Sequence, residues 1–510
     1  MPVELNELFK KSLCLIENTG KNVFITGKAG TGKSTLLDYF RNQTKKRVVV
    51  LAPTGVAAIN VGGETIHSFF HFKPDITLSK IREIKFRDGK PNIYKQLDAI
   101  VIDEISMVRA DLLDCVDKFL RLNGPNRKKP FGGLQMIFFG DLYQLPPVVA
   151  GEEKHIFKNH YDSEYFFSAK VFGQLTMEYL ELEKVYRQRD EKFIALLNSI
   201  RNNTAGENEL LELNRRVDVD YEPKGDYSIL LTTTNRMAKE MNEIKLEQLP
   251  GKERVFEGEM EGQFDRNQLP TEIELKLKKG AQVMMLNNDQ FGRWVNGTMA
   301  KIKDIKKDEL VIQLQSGETH EVNPYTWEIF HFSYNTRNRR IESEVTASFT
   351  QFPLKLAWAI TIHKSQGKTF DRVVIDIGNG TFAHGQMYVA LSRCRSLEGM
   401  VLKKPIKKGH IFMDWRVVKF VTGYQYGLSE KLCSLDDKVA IITKAIEEKN
   451  RIEVLYLKAQ DVKSKRVIEP LEVGEMYYNE KPFLGIRAFC HHRQEERVFR
   501  VDRILEMRVV

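Results

Sequence analysis

Four short apolar runs in the first third of the chain carry almost no polar alternation. They are Asn22-Val23-Phe24-Ile25-Thr26, Arg47-Val48-Val49-Val50-Leu51, Ala99-Ile100-Val101-Ile102 and Leu134-Gln135-Met136-Ile137-Phe138-Phe139. Strands covered on both faces read this way. Alternating with helical segments over 22–150, they predict a parallel sheet with flanking helices. Phe193, Leu196, Leu197 and Ile200 then recur at helical spacing within Glu191–Arg201 and predict a core-facing stripe. Tyr227–Thr234 and Gly280–Met285 read as further buried strands. From Met299 to about Val345 charged and apolar residues alternate around a Ser316-Gly317-Glu318 turn, which predicts a small antiparallel unit. Residues 424–436 read as a linker. After it, Asp437–Lys449 has helical periodicity, and 452–456, 466–470, 482–489 and 497–504 are strand-like, with Arg493-Gln494-Glu495-Glu496 as one hairpin turn.

Composition narrows this picture. A chain of 510 residues with 42% apolar content holds several compact units and is not disordered on a large scale. The net charge of +9 has the sign that suits a polyanionic partner, and ordinary surface charge explains it equally well. Five scattered cysteines without a C-x-x-C fit a reducing compartment and support neither a disulfide framework nor a zinc site. Adjacent ligands in a strand face opposite sides, so Cys490-His491-His492 does not read as a metal site. No apolar run reaches membrane-spanning length and no signal-peptide pattern occurs, so no membrane partner is expected.

The chemistry sits at the ends of the apolar runs. Residues 27–34, Gly27-Lys28-Ala29-Gly30-Thr31-Gly32-Lys33-Ser34, fit G-x-x-x-x-G-K-[ST] between the first run and a helical stretch that opens with Thr35. A strand feeding a glycine turn into a helix N-terminus aims backbone N–H groups at one point, where a polyphosphate is favoured. Lys33 is expected to reach the outer phosphates and the Ser34 hydroxyl to ligate Mg²⁺. Asp103 and Glu104 end another strand, one placed for the metal and one for an attacking water. Gln144, in Gly140-Asp141-Leu142-Tyr143-Gln144, ends a third, where an amide can sense a γ-phosphate. The segments 51–60 and 62–69 offer hydroxyls, amides and an aromatic edge, which suit either a sugar–phosphate chain or a plain turn.

Taken together, GKAGTGKS, LAPTGVAAINVGGETIHSFF, VIDEISM and GDLYQLPPV resemble a superfamily 1 helicase, in particular the 5′→3′ branch of the Pif and RecD type. Glu183–Gln188, Leu356–Thr369 and Gly385–Arg395 resemble the later motifs of that family, in order, so the likeness runs over roughly 5–425. It implies an α/β protein with two RecA-like P-loop domains built on parallel sheets, at 1–175 and 176–425. It also implies a wedge at about 72–97 in the first domain and a small β-barrel insertion at about 295–345 in the second.

The resemblance assigns roles residue by residue. Residues Gly27 to Thr35, with Gly367, hold the nucleotide, and Ser34 and Asp103 the Mg²⁺. Glu104 is the base, Gln144 couples the γ-phosphate to closure, and Arg187 and Arg393 are fingers from the second domain. Pro53, Thr54, Gly55, Ala57, His67 and Ser68 contact single-stranded DNA from the first domain, and His363, Lys364 and Ser365 from the second. Leu5–Asn22 lacks the glutamine with which the family often reads adenine, so base specificity stays open. Residues 437–510, after a linker at 426–436, resemble a WYL domain, a mostly-β Sm-like fold, with Pro482-Phe483-Leu484 in place of the naming tripeptide. That likeness implies a nucleic-acid patch at His491, Arg493, Arg500 and Arg503. The whole predicts an ATP-dependent DNA helicase of the bacterial cytoplasm and nucleoid. It would work as a monomer on single strands and single-strand/duplex junctions. A DNA-stimulated remodelling ATPase and a nucleotide-sensing switch are the alternatives.

Overall fold

The computed structural model describes residues 6–73, 76–84, 92–149, 157, 159–222, 227–262, 269–306, 309–335 and 340–510. The chain divides into two compact units, Met1–Leu197 with Gly206–Ile411, and Asn198–Ala205 with Phe412–Val510.

The first unit begins with helix α1 (Glu7–Asn18), capped by the Asn6 side chain, which accepts from the Phe9 N–H at 2.8 Å. Strands β1 (Asn22–Gly27), β2 (Val48–Ala52), β3 (Glu64–Thr65), β4 (Ala99–Ile102), β5 (Gln135–Phe139) and β6 (Met177–Leu182) form one parallel sheet, ordered β3-β2-β4-β5-β1-β6. Helices α2 (Lys33–Gln43), α3 (Gly55–Asn60), α4 (Ile66–Phe69) and α5 (Ala110–Asn123) connect them. The four apolar runs are its central strands, and β1, β4 and β5 bury almost every residue. Strand β6 corrects the boundary expected at 175/176. It pairs with β1 in register from Asn22↔Met177 to Gly27↔Leu182 and so belongs to the first sheet. As an edge strand its buried positions are interrupted by half-exposed ones, which removes the continuous apolar signal.

The segment expected as a wedge has its base on α5. Phe70, Phe72, Tyr94 and Phe119 stack into one aromatic cluster, with ring centroids 4.8–6.0 Å apart. Asn123 fastens both flanks, accepting the Ile84 N–H at 2.8 Å through its side chain and the Asn92 side-chain amide at 2.8 Å through its carbonyl. The middle of that segment, 85–91, lies outside the described residues.

Helix α6 (Glu191–Arg201), which carries the expected stripe, and α7 (Glu207–Asn214) lead to a second parallel sheet. Its strands are β7 (Ile229–Thr232), β18 (Ala359–Thr361), β19 (Val373–Asp376) and β20 (Met400–Leu402), ordered β18-β7-β19-β20. Helix α8 (Asn235–Glu247) follows β7. Between α8 and β18 the described residues form ten antiparallel strands, a larger insertion than 295–345. They are β8 (Arg254–Glu257), β9 (Glu259–Gly262), β10 (Glu274–Leu277), β11 (Gln282–Met285), β12 (Met299–Ile305), β13 (Leu310–Leu314), β14 (Thr319–Val322), β15 (Tyr325–Asn335), β16 (Arg340–Gln351) and β17 (Leu354–Leu356). The core of the insertion is the five-stranded sheet β14-β13-β12-β11-β17, packed around Trp294, Leu310, Ile312 and Leu354. The run at Gly280–Met285 belongs to this sheet, since β11 pairs with β12 and β17 rather than with β7.

In the second unit, α10 (Trp415–Leu432) and α11 (Leu435–Glu447) precede an antiparallel sheet. Helix α9 (Gln386–Leu391) stands earlier, in the first unit. The sheet consists of β21 (Ile452–Lys458), β22 (Val462–Tyr478), β23 (Lys481–Cys490), β24 (Glu495–Arg500) and β25 (Ile504–Val509), ordered β24-β23-β22-β21-β25. Ile442, Ile452, Val454, Ile468, Ile486 and Phe499 fill its core. The expected linker at 426–436 is mostly helix. Val417, Val418, Val421, Thr422, Gln425 and Ser429 bury one face of α10 through its last turns. Only Cys433 and Ser434 separate it from α11, whose first turn Ser434 caps.

Candidate functional site: a nucleotide cleft between two parallel sheets

The phosphate loop is shaped by its glycines. Gly30 and Gly32 have φ of 79° and 85°, the left-handed region where a side chain is strained. A Cβ on Gly30 would also stand 2.5 Å from the Arg187 Cβ. Lys33 opens α2, and its Nζ donates to the Gly27 and Lys28 carbonyls at 2.8 and 3.1 Å. Burial lowers the pKa of this amine, while Asp141, Glu104 and Asp103 hold its proton on. The loop faces a cleft of about 910 Å³ lined by Ala29 to Thr35, Glu104, Gln144, Arg187, Gly367 and Arg393. Ser34 and Thr35 are therefore at the cleft, as their place in the motif requires.

Strand β4 delivers the acids. Asp103 is 9% exposed, and burial raises its pKa. Burial, then the neighbouring Asp103, raises that of Glu104. Glu104 sits at φ 48°, ψ 44°, a left-handed conformation that costs a non-glycine residue ~1–3 kcal/mol. Strain of this kind persists where the surroundings over-determine a functional side chain. Gln144 donates to Asp141 Oδ2 at 3.1 Å, and Asp141 has no exposed surface.

Sequence reasoning missed three residues here. Gln366 donates to Glu104 Oε2 at 3.1 Å and to Gln144 Oε1 at 3.4 Å, joining the acid to the γ-phosphate candidate. It stands between the predicted Ser365 and Gly367, so position in the motif was the available signal. Tyr388 accepts the Ala29 N–H at 2.8 Å. Gln188 donates to the Ser392 and Cys394 carbonyls at 3.1 and 3.0 Å.

Both arginines line the cleft. Arg187 donates to the Ser392 and Gly367 carbonyls at 3.3 and 3.4 Å. Arg393 is 1% exposed and donates to the Val389, Ser365 and Lys368 carbonyls and to the Ser392 hydroxyl, at 2.9–3.4 Å. Burial pulls both guanidinium groups below their usual range, yet arginine remains charged in proteins. Two cations, Arg393 buried and Arg187 partly exposed, thus line the cleft at one phosphate loop without a carboxylate bonded to either among the described residues. Arg187 follows β6, and its neighbour Tyr186 donates its N–H to the Gly30 carbonyl at 2.8 Å, so Arg187 stands on the first lobe, which corrects its expected place on the second domain.

The donor set suits a magnesium–nucleotide. The Ser34 hydroxyl and the Asp103 carboxylate are oxygen donors, the kind that suits a cation which keeps waters and takes the rest of its ligands from phosphate. Among the described residues no cluster of three or more His, Cys, Asp or Glu forms a self-sufficient metal cage.

The residues expected at a DNA strand fall into two groups. Thr54 caps α3, its hydroxyl accepting the Ala57 N–H at 3.3 Å, with Pro53 before it in the turn and Gly55 opening the helix. The Ser68 hydroxyl donates to Glu64 at 2.6 Å, and burial lowers the His67 pKa. On the other lobe, His363 stacks on exposed Phe382 with ring centroids 6.1 Å apart, and Lys364 is exposed. Ser365 is a correction. It has no exposed surface, and both its hydroxyl and its N–H donate to the Ile362 carbonyl. It closes a 3₁₀ turn and hands its carbonyl to Arg393. Asn296 donates to the Asn60 side chain of α3 at 2.9 Å and accepts from Lys368 at 2.5 Å.

In the second unit, two of the four expected patch residues are engaged locally. Arg500 pairs with Asp502 through two bonds of 3.0 and 2.7 Å and lies 5.3 Å over Phe483, and His491 faces Glu469 at 3.3 Å. Arg503 lies in the turn before β25, near Tyr426. Arg493 instead keeps company with Lys458, Arg466 and Arg497, cations that, after partial burial, depress the Lys458 pKa. Arg466 is 7% exposed and bonds only Ser464 and Cys490 among the described residues.

Two parallel sheets at one phosphate loop, the first supplying the loop and the acids and the second lobe the Arg393 guanidinium group, define the RecA-like P-loop class in its two-lobed form. The PIF1-like helicase family model matches residues 4–209, the UvrD-like helicase C-terminal domain 356–398 and the WYL domain 437–509. The chain belongs to the PIF1-like helicase family. It is 32% identical to the ATP-dependent DNA helicase Pif1 of Bdellovibrio bacteriovorus over 79% of this chain and 89% of that protein. With the Xenopus laevis ATP-dependent DNA helicase PIF1 it shares 34% identity over 78% of this chain, but spans only 62% of the frog protein. A Bacteroides Pif1 solved with ADP-AlF4 is 37% identical, with a TM-score of 0.75 over 83% of this chain and 98% of that one. The Bacteroides protein has also been solved bound to ssDNA, at 38% identity and a TM-score of 0.62. Among the described residues no helix is long and apolar enough to cross a membrane.

Proposed function

We propose that this protein is an ATP-driven DNA helicase that moves 5′→3′ on single-stranded DNA and opens duplex ahead of it. The observation that carries the reading is the pair of guanidinium groups at the phosphate loop: Arg393, buried, faces it from the opposite lobe, and Arg187, on the segment after β6, reaches from beside the loop to the Ser392 and Gly367 carbonyls of that lobe. A cation delivered across a cleft makes hydrolysis depend on closure, which converts chemistry into relative movement of two lobes.

Lys33 and the loop amides hold the β- and γ-phosphates, and the two arginines neutralise charge as it develops on the transferred group. Ser34 and Asp103 hold Mg²⁺, which neutralises phosphate charge when bound. Glu104, oriented by Gln366, takes the proton of the attacking water. Arg393 bonds the Ser365 and Lys368 carbonyls, so the turn bearing His363 and Lys364 is tied to the nucleotide cleft. Pro53, Thr54, Gly55, Ala57, His67 and Ser68 grip the strand from the first lobe, and His363 and Lys364 from the second. ADP-AlF4 and ssDNA in solved Bacteroides Pif1 structures support ATP and single-stranded DNA as the ligands. The insertion and the WYL domain add contacts to the strand or its junction.

The test is strand displacement on 5′- and 3′-tailed duplexes with ATP and Mg²⁺. Unwinding of the 5′-tailed substrate alone is expected. Strong DNA-stimulated hydrolysis with no displacement of either substrate would replace the helicase by a remodelling ATPase.

A further inference from the structure

Helix α9 and the residues leading into it make three separate contacts with the first lobe. The His384 ring lies 3.0 Å from the Leu142 carbonyl oxygen. Gly385 packs so closely that a Cβ there would stand 2.3 and 2.4 Å from the Gln144 and Tyr143 carbonyl oxygens. The Tyr388 hydroxyl accepts the Ala29 N–H at 2.8 Å, in a bond buried from solvent. The last contact differs in kind, because it reaches the phosphate loop itself. Tyr388 is 3% exposed and Ala29 6%, so the pairing is shielded from water.

A buried N–H left without an acceptor is costly, so Ala29 and Tyr388 hold each other in register. The other end of the same helix carries the finger, since Arg393 Nε donates to the Val389 carbonyl at 2.9 Å. Tyr388 also lies within electrostatic reach of both Arg187 and Arg393. The phosphate loop, the tyrosine and the two guanidinium groups form one continuous set of contacts.

We propose that Tyr388 is a positioning residue, whose hydroxyl locks the phosphate loop at Ala29 to the helix carrying Arg393, so that the finger is set only when the loop is in its cradling form. A tyrosine suits this task because its rigid ring fixes the distance while its oxygen accepts from the amide. The proposal rests on reading the cleft as an ATPase site.

The test is Tyr388→Phe in the full chain, which keeps the ring and removes the acceptor. DNA-stimulated hydrolysis is measured with ATP and Mg²⁺, beside equilibrium binding of mantATP and of a labelled oligonucleotide. The expected result is a kcat at least tenfold lower, with the KM for ATP and both affinities within about twofold of wild type. Combined with Arg393→Ala, the variant adds no further loss, because the tyrosine acts through that arginine. A kcat within twofold of wild type overturns the proposal. So does loss of both binding activities, which marks a structural role, or a full additional tenfold loss in the double variant. A wild-type chain inert towards ATP refutes the ATPase reading itself, and is separable because it needs no variant.

Discussion

Glu104 shows how much one residue's surroundings decide. Its backbone is strained, its carboxyl is desolvated, and Gln366 holds one of its oxygens. Burial raises its pKa, so the proton is lost only above the ordinary carboxylate range. A base must be deprotonated to work. Therefore kcat/KM for ATP should fall as pH drops while still above the usual glutamate range, and added Mg²⁺ should move that limb downwards. An acid limb near the ordinary carboxylate value, unmoved by Mg²⁺, would contradict the buried-base reading. Arg393 poses the complementary case of a cation with five donors shared among carbonyls and a hydroxyl. Arg393→Ala should cut hydrolysis roughly a thousandfold while leaving nucleotide affinity close to wild type. Steady-state turnover with mantATP titration checks both halves.

At the scale of elements, helix N-termini and strand ends do most of the work. Helix α2 starts at Lys33, α3 is capped by Thr54, and α9 starts behind Gly385 at φ 70°. Gly385 matters for space as well as for its dihedral. Gly385→Ala would press a methyl into the Tyr143 and Gln144 carbonyls and strain the backbone, each worth ~1–3 kcal/mol. The expected outcome is lobes held apart, with oligonucleotide binding kept and DNA-stimulated hydrolysis lost. Full hydrolysis in that variant would show that the close approach is dispensable. The sequence announced these elements unevenly. Buried central strands such as β4 and β5 are legible because both faces need apolar residues. The edge strand β6 is not, and the C-terminal half of α10, from 424 on, reads as a linker because its polar face hides a single buried stripe.

For the molecule as a whole, the second unit sets the limits on what truncation can tell. Asn198–Ala205, at the end of α6, belongs to it, and Arg201 pairs there with Asp461 at 3.7 Å, both nearly buried. Deleting residues 437–510 would strip a buried arginine of its partner, which is strongly destabilising. Point changes are cleaner. Lys458→Glu with Arg493→Glu should weaken oligonucleotide binding and flatten its log–log salt dependence by about 1 to 2, since each single-strand phosphate contact contributes about 0.7. An unchanged slope would mean that this cationic cluster does not face nucleic acid.

The chain's order of residues by itself determined the phosphate loop, the acids, the two arginines and the family. These are local strings whose spacing is fixed by the covalent chain, so a short window holds the whole signal. Only tertiary structure decided that Gln366 and Tyr388 join the cleft, that Ser365 turns inward, and that Arg500 is neutralised by Asp502. Those outcomes depend on which distant backbone atoms arrive within 3.5 Å of a side chain. A one-dimensional pattern does not contain that distance.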